Sequence, residues 1–194
     1  MKILAINGSR RKNGNTSCLV QSILSAAEKA GAEVESLSLG DYAIDACTGC
    51  EGCRDSWQCV IEDDFSGIVR RMDEADGVIL GSPTYWYSVT SDMKRFVDRC
   101  YSLIQYPVSR RQWIGKYQGT GKACVAVAVG EQHDPAMMGN TLSLLSDFAR
   151  DIGLEVVDAV QARGFFAAGS VKTDGAVLRR AESAGEKLLG QLRR

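Results

Sequence analysis

The sequence predicts an α/β fold: a doubly wound five-stranded parallel sheet with helices on both faces. Two observations predict it. Short β-rich runs alternate down the chain with segments whose apolar residues recur at helical spacing. The run GVILGS (77–82) is apolar without alternation, as expected of a strand covered on both faces. Right-handed crossovers between such strands distribute the helices to the two sides.

Each element follows in order. KILAIN (2–7) reads as the first strand, Leu19, Val20, Ile23, Leu24 and Ala27 as one face of a helix, and EVESLSL (33–39) as the second strand, which completes a βαβ unit. Asp63 and Asp64 can cap a helix that carries Phe65, Ile68, Val69 and Met72 on one face, and GVILGS follows as the third strand. A third helix places Val89, Met93, Phe96, Val97 and Cys100 on one stripe, then leads through an irregular segment (104–121) to the strand ACVAVAVG (123–130). Met138, Leu142, Leu145, Ala149 and Ile152 make a fourth helix, EVVDAV (155–160) a fifth strand, and Val177 to Leu192 a closing helix. There is no internal repeat, low-complexity tract or linker-like stretch, so residues 1–194 are expected to form one domain.

Bulk properties narrow the function. A formal charge of −1 and a pI near 5.9 give no global attraction to nucleic acid or anionic membrane, and the longest basic run is Arg10-Arg11-Lys12. No apolar run approaches the roughly 18 residues of a membrane span, and KILAIN follows Met1 without an apolar signal region. A cytoplasmic location is expected. In that reducing compartment, clustered cysteines are expected to act as ligands or redox-active thiols rather than as structural disulfides.

In a doubly wound sheet, ligands bind outside the carboxyl ends of the strands. The loops that matter are therefore 8–16, 40–62, 82–88 and 130–136. The first, NGSRRKNGNTS (7–17), runs into a helix, where unsatisfied amides and the helix dipole favour an anion. Ser9, Asn15, Thr16 and Ser17 are candidate side-chain donors. The loop lacks both the Walker spacing with its lysine and the Gly-x-Gly-x-x-Gly of dinucleotide folds, so a monophosphate end group fits better than a triphosphate. The loop GSPTYWYSV (81–89) offers flat aromatic area and exposed backbone suited to a heterocycle such as an isoalloxazine. GEQHDP (130–135) carries the only histidine, a residue more often solvated in such a loop than catalytic.

GSRRKNGNT, SPTYWYSVTSDMKRFVDR (82–99), and the cysteine run followed by VIEDDF (60–65) together resemble the flavodoxin-like NAD(P)H-dependent FMN reductase family, especially its iron-sulfur flavoprotein branch. The resemblance implies FMN held by its phosphate at Ser9, Arg11, Asn13, Asn15 and Thr16, and by its ring at Pro83, Thr84, Tyr85, Trp86 and Tyr87, with Gly130 and Glu131 lining the third loop. Tyr87 stands where the family often has a small residue, which bears on access to one flavin face. Lys94, Asp98 and Arg99 match the family's third helix and read as a structural ion pair.

The segment CTGCEGCRDSWQC has the spacing Cys47-x2-Cys50-x2-Cys53-x5-Cys59. Three thiolates separated by pairs that include Gly49 and Gly52 can wrap one compact cluster, as bacterial ferredoxin runs do. The resemblance adds Cys59 as the fourth ligand of a 4Fe-4S cluster. Structural zinc, with well-separated knuckles, fits this triplet poorly, and uncoordinated or redox-active thiols are the other reading. Cys18, Cys100 and Cys124 fall in helix or strand patterns and read as buried small hydrophobes.

The expected activity is an FMN-containing oxidoreductase that couples two-electron NAD(P)H or small-molecule chemistry at FMN to one-electron transfer through a 4Fe-4S cluster. The expected partners are a small-molecule or ferredoxin-type electron donor or acceptor. Rival readings are a cluster-free NAD(P)H-dependent FMN or quinone reductase, an FMN-dependent dehydrogenase of a biosynthetic intermediate, and a non-enzymatic electron carrier or redox sensor. The aromatic loop 85–87 and segment 104–121 suit a subunit interface, so a homodimer or homotetramer is expected.

Overall fold

Every other residue of a strand faces the same side, so a strand whose inner residues are apolar on both sides must be covered twice. The first strand, β1 (Lys2–Asn7), does this: Ile3 and Ala5 enter one apolar core and Leu4 and Ile6 the other, all four fully buried. A computed structural model of the protein describes residues 1–194. After β1 come α1 (Asn15–Lys29), β2 (Glu33–Ser38), α2 (Phe65–Glu74), β3 (Gly77–Pro83) and α3 (Ser91–Arg99). A hairpin of β4 (Ile104–Ser109) and β5 (Gln112–Gly115) precedes β6 (Ala123–Val129), α4 (Thr141–Asp151), β7 (Glu155–Ala162) and α5 (Gly175–Leu192). Five strands form one parallel sheet in the order β2-β1-β3-β6-β7.

One core packs Phe65, Ile68, Met93, Phe96, Leu145 and Phe148 of α2, α3 and α4 against the sheet, and the other packs Leu19, Ile23, Ala181, Ala184 and Leu188 of α1 and α5 against the opposite face. Each of the leucine, isoleucine, methionine and phenylalanine side chains contributes about 1.5–3 kcal/mol relative to exposure. All strands but those of the hairpin run the same way, so the loops after β1, β2, β3, β6 and β7 emerge on a single edge. The chain winds from β1 toward β2 and from β3 toward β6, which places the switch point, and the crevice above it, between β1 and β3.

The segment expected to be irregular (104–121) contains the antiparallel β4–β5 hairpin, a separate two-stranded sheet. Its outward residues Val108 and Trp113 are exposed, so no buried face marks it in the sequence. It is held by tertiary contacts: Tyr117 N–H donates to Ile152 O at 2.9 Å, and Gly115 lies so close to the Ile152 backbone that a Cβ would meet it at 2.2 Å. No helix is long and apolar enough to cross a membrane.

Asp158 on β7 accepts from Arg180 at 2.8 Å and meets Lys187 at 2.9 Å, both on α5. Burial opposes its ionisation, but the hydrogen bonds from Arg180 and Lys187 outweigh it and hold the carboxyl at about 2, below the ordinary 3.8. A depressed carboxyl pKa stabilises the fold above the unfolded value, and that stabilisation is lost as pH falls through the folded one. Asp158→Asn is therefore expected to lower Tm at neutral pH, with the gap to the wild type closing between pH 3.8 and about 2 in a calorimetric pH series.

Candidate functional site

The loop after β1 is fixed at its start and open at its end. Gly8 N–H donates to Gly81 O at 2.8 Å, and Thr90 Oγ1 donates to Gly8 O at 2.8 Å, tying the loop to β3 and to the N-cap of α3. Arg10 forms a two-pronged pair with the buried Asp92 at 2.6 and 2.9 Å, which leaves Arg11 as the guanidinium facing the crevice. Gly14 N–H donates to Arg11 O at 2.9 Å, closing a turn that delivers the chain into α1. The first bond of that helix is Cys18 N–H to Gly14 O, and no side chain caps its start, so the amides of Asn15, Thr16 and Ser17 have no intrahelical partner. Together they present partial positive charge to the crevice. Thr16 Oγ1 is buried and has no hydrogen-bond partner. Such a group costs about 1–3 kcal/mol unless something outside the chain bonds it.

Asn15 has a different role from the one expected of its side chain. Its Nδ2 donates to Phe165 O at 3.2 Å and to Ala167 O at 3.0 Å, and its Oδ1 accepts from Val171 N–H at 3.0 Å. The carboxamide thus anchors the β7–α5 loop, and only its backbone amide is free for a ligand. Ser9 Oγ accepts from Arg11 N–H at 3.3 Å and keeps its own hydrogen to donate.

On the other side, Thr84 N–H donates to Val129 O at 2.7 Å, and the next four residues close a tight turn with Tyr85 N–H to Ser88 O at 2.8 Å and Ser88 N–H to Tyr85 O at 3.1 Å. Trp86 and Tyr87 occupy the left-handed region at φ of 48° and 65°. Aromatic side chains pay roughly 1–2 kcal/mol each for that conformation. The turn is braced from α4: Asn140 N–H donates to Tyr87 O at 2.8 Å, and Gly139, at φ of 51°, sits where a Cβ would come within 2.0 Å of that oxygen.

These parts enclose a crevice of about 440 Å³, a size suited to a small-molecule ligand. Ser9, Arg11, Asn15, Thr16, Pro83, Thr84, Tyr85, Trp86, Tyr87, Gly130 and Glu131 all line it. Asn13 does not; it is exposed on the outer side of the loop, where its carbonyl faces Cys18 Sγ at 4.0 Å. His133 also lies outside the lining, its ring packed on Gly164. Sequence reasoning missed Phe165 and Phe166, which complete one wall. Arg11 stacks its guanidinium 5.5 Å from the Phe166 ring and donates to Phe166 O at 3.0 Å. The carboxyl-end rule applied to the fifth strand as well would have pointed to Gly164-Phe165-Phe166.

The cysteines lie in the loop between β2 and α2. Cys47 and Cys50 are exposed, Cys59 is half-buried and Cys53 is buried. Hydrogen bonds from the Gly52 backbone and Thr48, with Arg99 nearby, lower the Cys50 pKa toward thiolate. Burial raises that of Cys53, and the neighbouring charges of Cys59, Cys50 and Cys47 raise it further. The expected ligand set of Cys47, Cys50, Cys53 and Cys59 is not gathered here: no three side chains form a group able to hold a metal ion. Cys59 turns instead to Arg99, whose Nε–H donates to its Sγ at 3.2 Å. The donor chemistry itself, four thiols in one glycine-containing loop with amides aimed at sulfur, fits an iron-sulfur group.

Three further expectations need adjusting. Lys94 pairs with Asp98, but Arg99 is buried and pairs with Asp63 at 2.6 Å. Asp63 caps Phe65 N–H at 2.9 Å, whereas Asp64 reaches back to Ala43 N–H at 2.7 Å. Cys100 and Cys124 are buried, and burial pushes the Cys124 thiol up to about 12, but Cys18 is only half-buried.

Residues 1–149 match the NADPH-dependent FMN reductase family. The chain belongs to that family. An iron-sulfur flavoprotein of Methanocaldococcus jannaschii is 42% identical over 130 residues, which are 67% of this chain and 62% of the relative. A putative NAD(P)H-dependent FMN-containing oxidoreductase of Bacillus subtilis is 31% identical over 150 residues, 76% of this chain and 75% of the relative. The chain thus matches somewhat under two thirds of the length of the first of these. The solved structure of an NAD(P)H:quinone oxidoreductase from Methanothermobacter marburgensis superposes with a TM-score of 0.74 at 15% identity, covering 97% of this chain and 98% of the other, and shows a shared fold. The strand order, read along the main sheet as 2-1-3-4-5, is that of flavodoxin. The crevice fits FMN at both ends: an unpartnered hydroxyl and free amides for the phosphate, and a backbone turn flanked by aromatics for the ring.

Gly139→Ala is expected to lower stability by about 1–3 kcal/mol in urea unfolding, because the new Cβ must displace the Tyr87 carbonyl and adopt a positive φ. The near-ultraviolet circular dichroism of the aromatic turn should change with it.

Proposed function

We propose that the protein is an FMN-dependent NAD(P)H oxidoreductase whose cysteine loop carries a 4Fe-4S cluster, so that pairs of electrons exchanged with NAD(P)H or a small molecule are passed on singly. When bound, FMN supplies the two-electron chemistry and the cluster the one-electron chemistry. The observation that carries the flavin part is the buried Thr16 hydroxyl, unpartnered beside the free amides of α1. In this reading the amides of Asn15, Thr16 and Ser17, with Ser9 Oγ and Thr16 Oγ1, bind the phosphate, and Arg11 neutralises its charge. Pro83 to Tyr87, Gly130 and Glu131 orient the ring, with Phe165 and Phe166 excluding water from one wall. The names of the iron-sulfur relatives and the Cys47, Cys50, Cys53, Cys59 spacing support the cluster.

A cluster-free NAD(P)H-dependent reductase is the second reading, favoured by the ungathered thiols. The exposed Trp86, Val108 and Trp113 support association into a homodimer or homotetramer. A ferredoxin-type protein or a small molecule would serve as the other electron partner.

Two variants test the parts separately. Thr16→Val is expected to leave the FMN-free protein as stable as the wild type or more so, since an unpaired buried hydroxyl is removed, while weakening FMN by about 1–3 kcal/mol in a fluorescence titration. Unchanged flavin affinity would sink the phosphate-loop assignment. Anaerobically purified protein should contain about four iron atoms per chain. Cys50→Ala should lose them and keep its flavin, whereas iron-free wild type with full flavin content would select the cluster-free reading.

A further inference from the structure

Arg99 is the largest side chain fully buried in the protein, and its charge is not isolated. One nitrogen donates to Asp63 at 2.6 Å and to Asp45 O at 3.0 Å; another donates to Ile61 O at 3.2 Å and to Asp63 at 3.2 Å. The third, Nε, donates to Cys59 Sγ at 3.2 Å. The guanidinium lies 4.8 Å from the centre of the Phe65 ring. Every N–H group with a partner thus reaches the cysteine loop or its exit. Asp45 precedes Cys47 by two residues, and Ile61 and Asp63 follow Cys59, so one side chain on α3 joins both ends of the loop. A flat, forked donor set is needed for this, which a lysine ammonium cannot reproduce.

We propose that Arg99 is a positioning residue for the cysteine loop: it clamps the loop's two ends together and orients the Cys59 sulfur through an N–H···S bond. The functional part rests on the cluster reading above, the clamp does not. A donor to a ligating sulfur stabilises the more negative, reduced state of an iron-sulfur group and raises its reduction potential. Apolar residues in place of a buried ion pair are often as stable or more so, so packing alone does not call for an arginine here.

The test compares wild type with Arg99→Lys, which keeps the charge but not the fork, and with Arg99→Met combined with Asp63→Asn, which avoids leaving a buried carboxylate unpaired. Iron, FMN, the reduction potential from an anaerobic titration followed by electron paramagnetic resonance, and trypsin cleavage at the exposed Arg54 are measured on each. FMN content should be unchanged, because Arg99 does not line the flavin crevice. Both variants should lose iron or retain it at a lower potential, and both should be cut at Arg54 several-fold faster. Unchanged potential and unchanged cleavage would overturn the proposal. Iron-free wild type would refute the cluster reading alone; cleavage rates in the iron-free proteins would then decide the clamp, faster in the variants if it holds and equal if it does not.

Discussion

The common direction of five strands is the constraint on which the rest of this molecule depends. In a parallel sheet each strand must be followed by a crossover before the next begins, so every strand delivers a loop to the same edge. Here that edge receives the uncapped start of α1, a cysteine loop, an aromatic turn and two further walls. None of these segments needs to be near another in the chain. The apolar cores on the two faces hold the strands in register, and the register aligns the loops.

Within that frame the site is built from groups the chain leaves unsatisfied. The start of α1 has free amides and no cap, Thr16 holds a buried hydroxyl without a partner, and Trp86 and Tyr87 occupy a backbone region that aromatic residues disfavour. Each is a local cost that a packed core would avoid. Their concentration around one crevice fits a surface completed by a bound phosphate and a flat ring, and the surroundings hold it in place beforehand. Thr90, Asp92, Asn140 and the Asn15 carboxamide all bond loop backbone or loop side chains rather than the crevice itself.

The cysteine loop is organised differently. Its sulfurs are spread between solvent, the interior and Arg99, and its ends are joined by a single buried guanidinium. Across it lies the β4–β5 hairpin, whose Arg110 pairs with Glu51 and donates to Tyr101 at 2.9 Å. The crevice is thus braced by hydrogen bonds within the chain, whereas the thiols would have to converge for an iron-sulfur group to be held.

The sequence by itself determined the order of the helices and of the five main-sheet strands, the edge where the loops collect, the place of the loop that runs into α1 and the crowding of four thiols. These depend on apolar periodicity and on close spacing, both of which a chain carries locally. Only the tertiary structure decided what individual polar groups do there. Asn15 looked like a phosphate ligand but bonds carbonyls 150 and 152 residues away, and Arg99 looked like part of a structural ion pair with Lys94 and Asp98 but pairs with Asp63, 36 residues back. Phe165, Phe166 and the hairpin joined their sites in the same way, through contacts distant in sequence. A side chain's hydrogen bonds go to whatever the fold brings within about 3 Å, and residue type and spacing along the chain do not specify that neighbour.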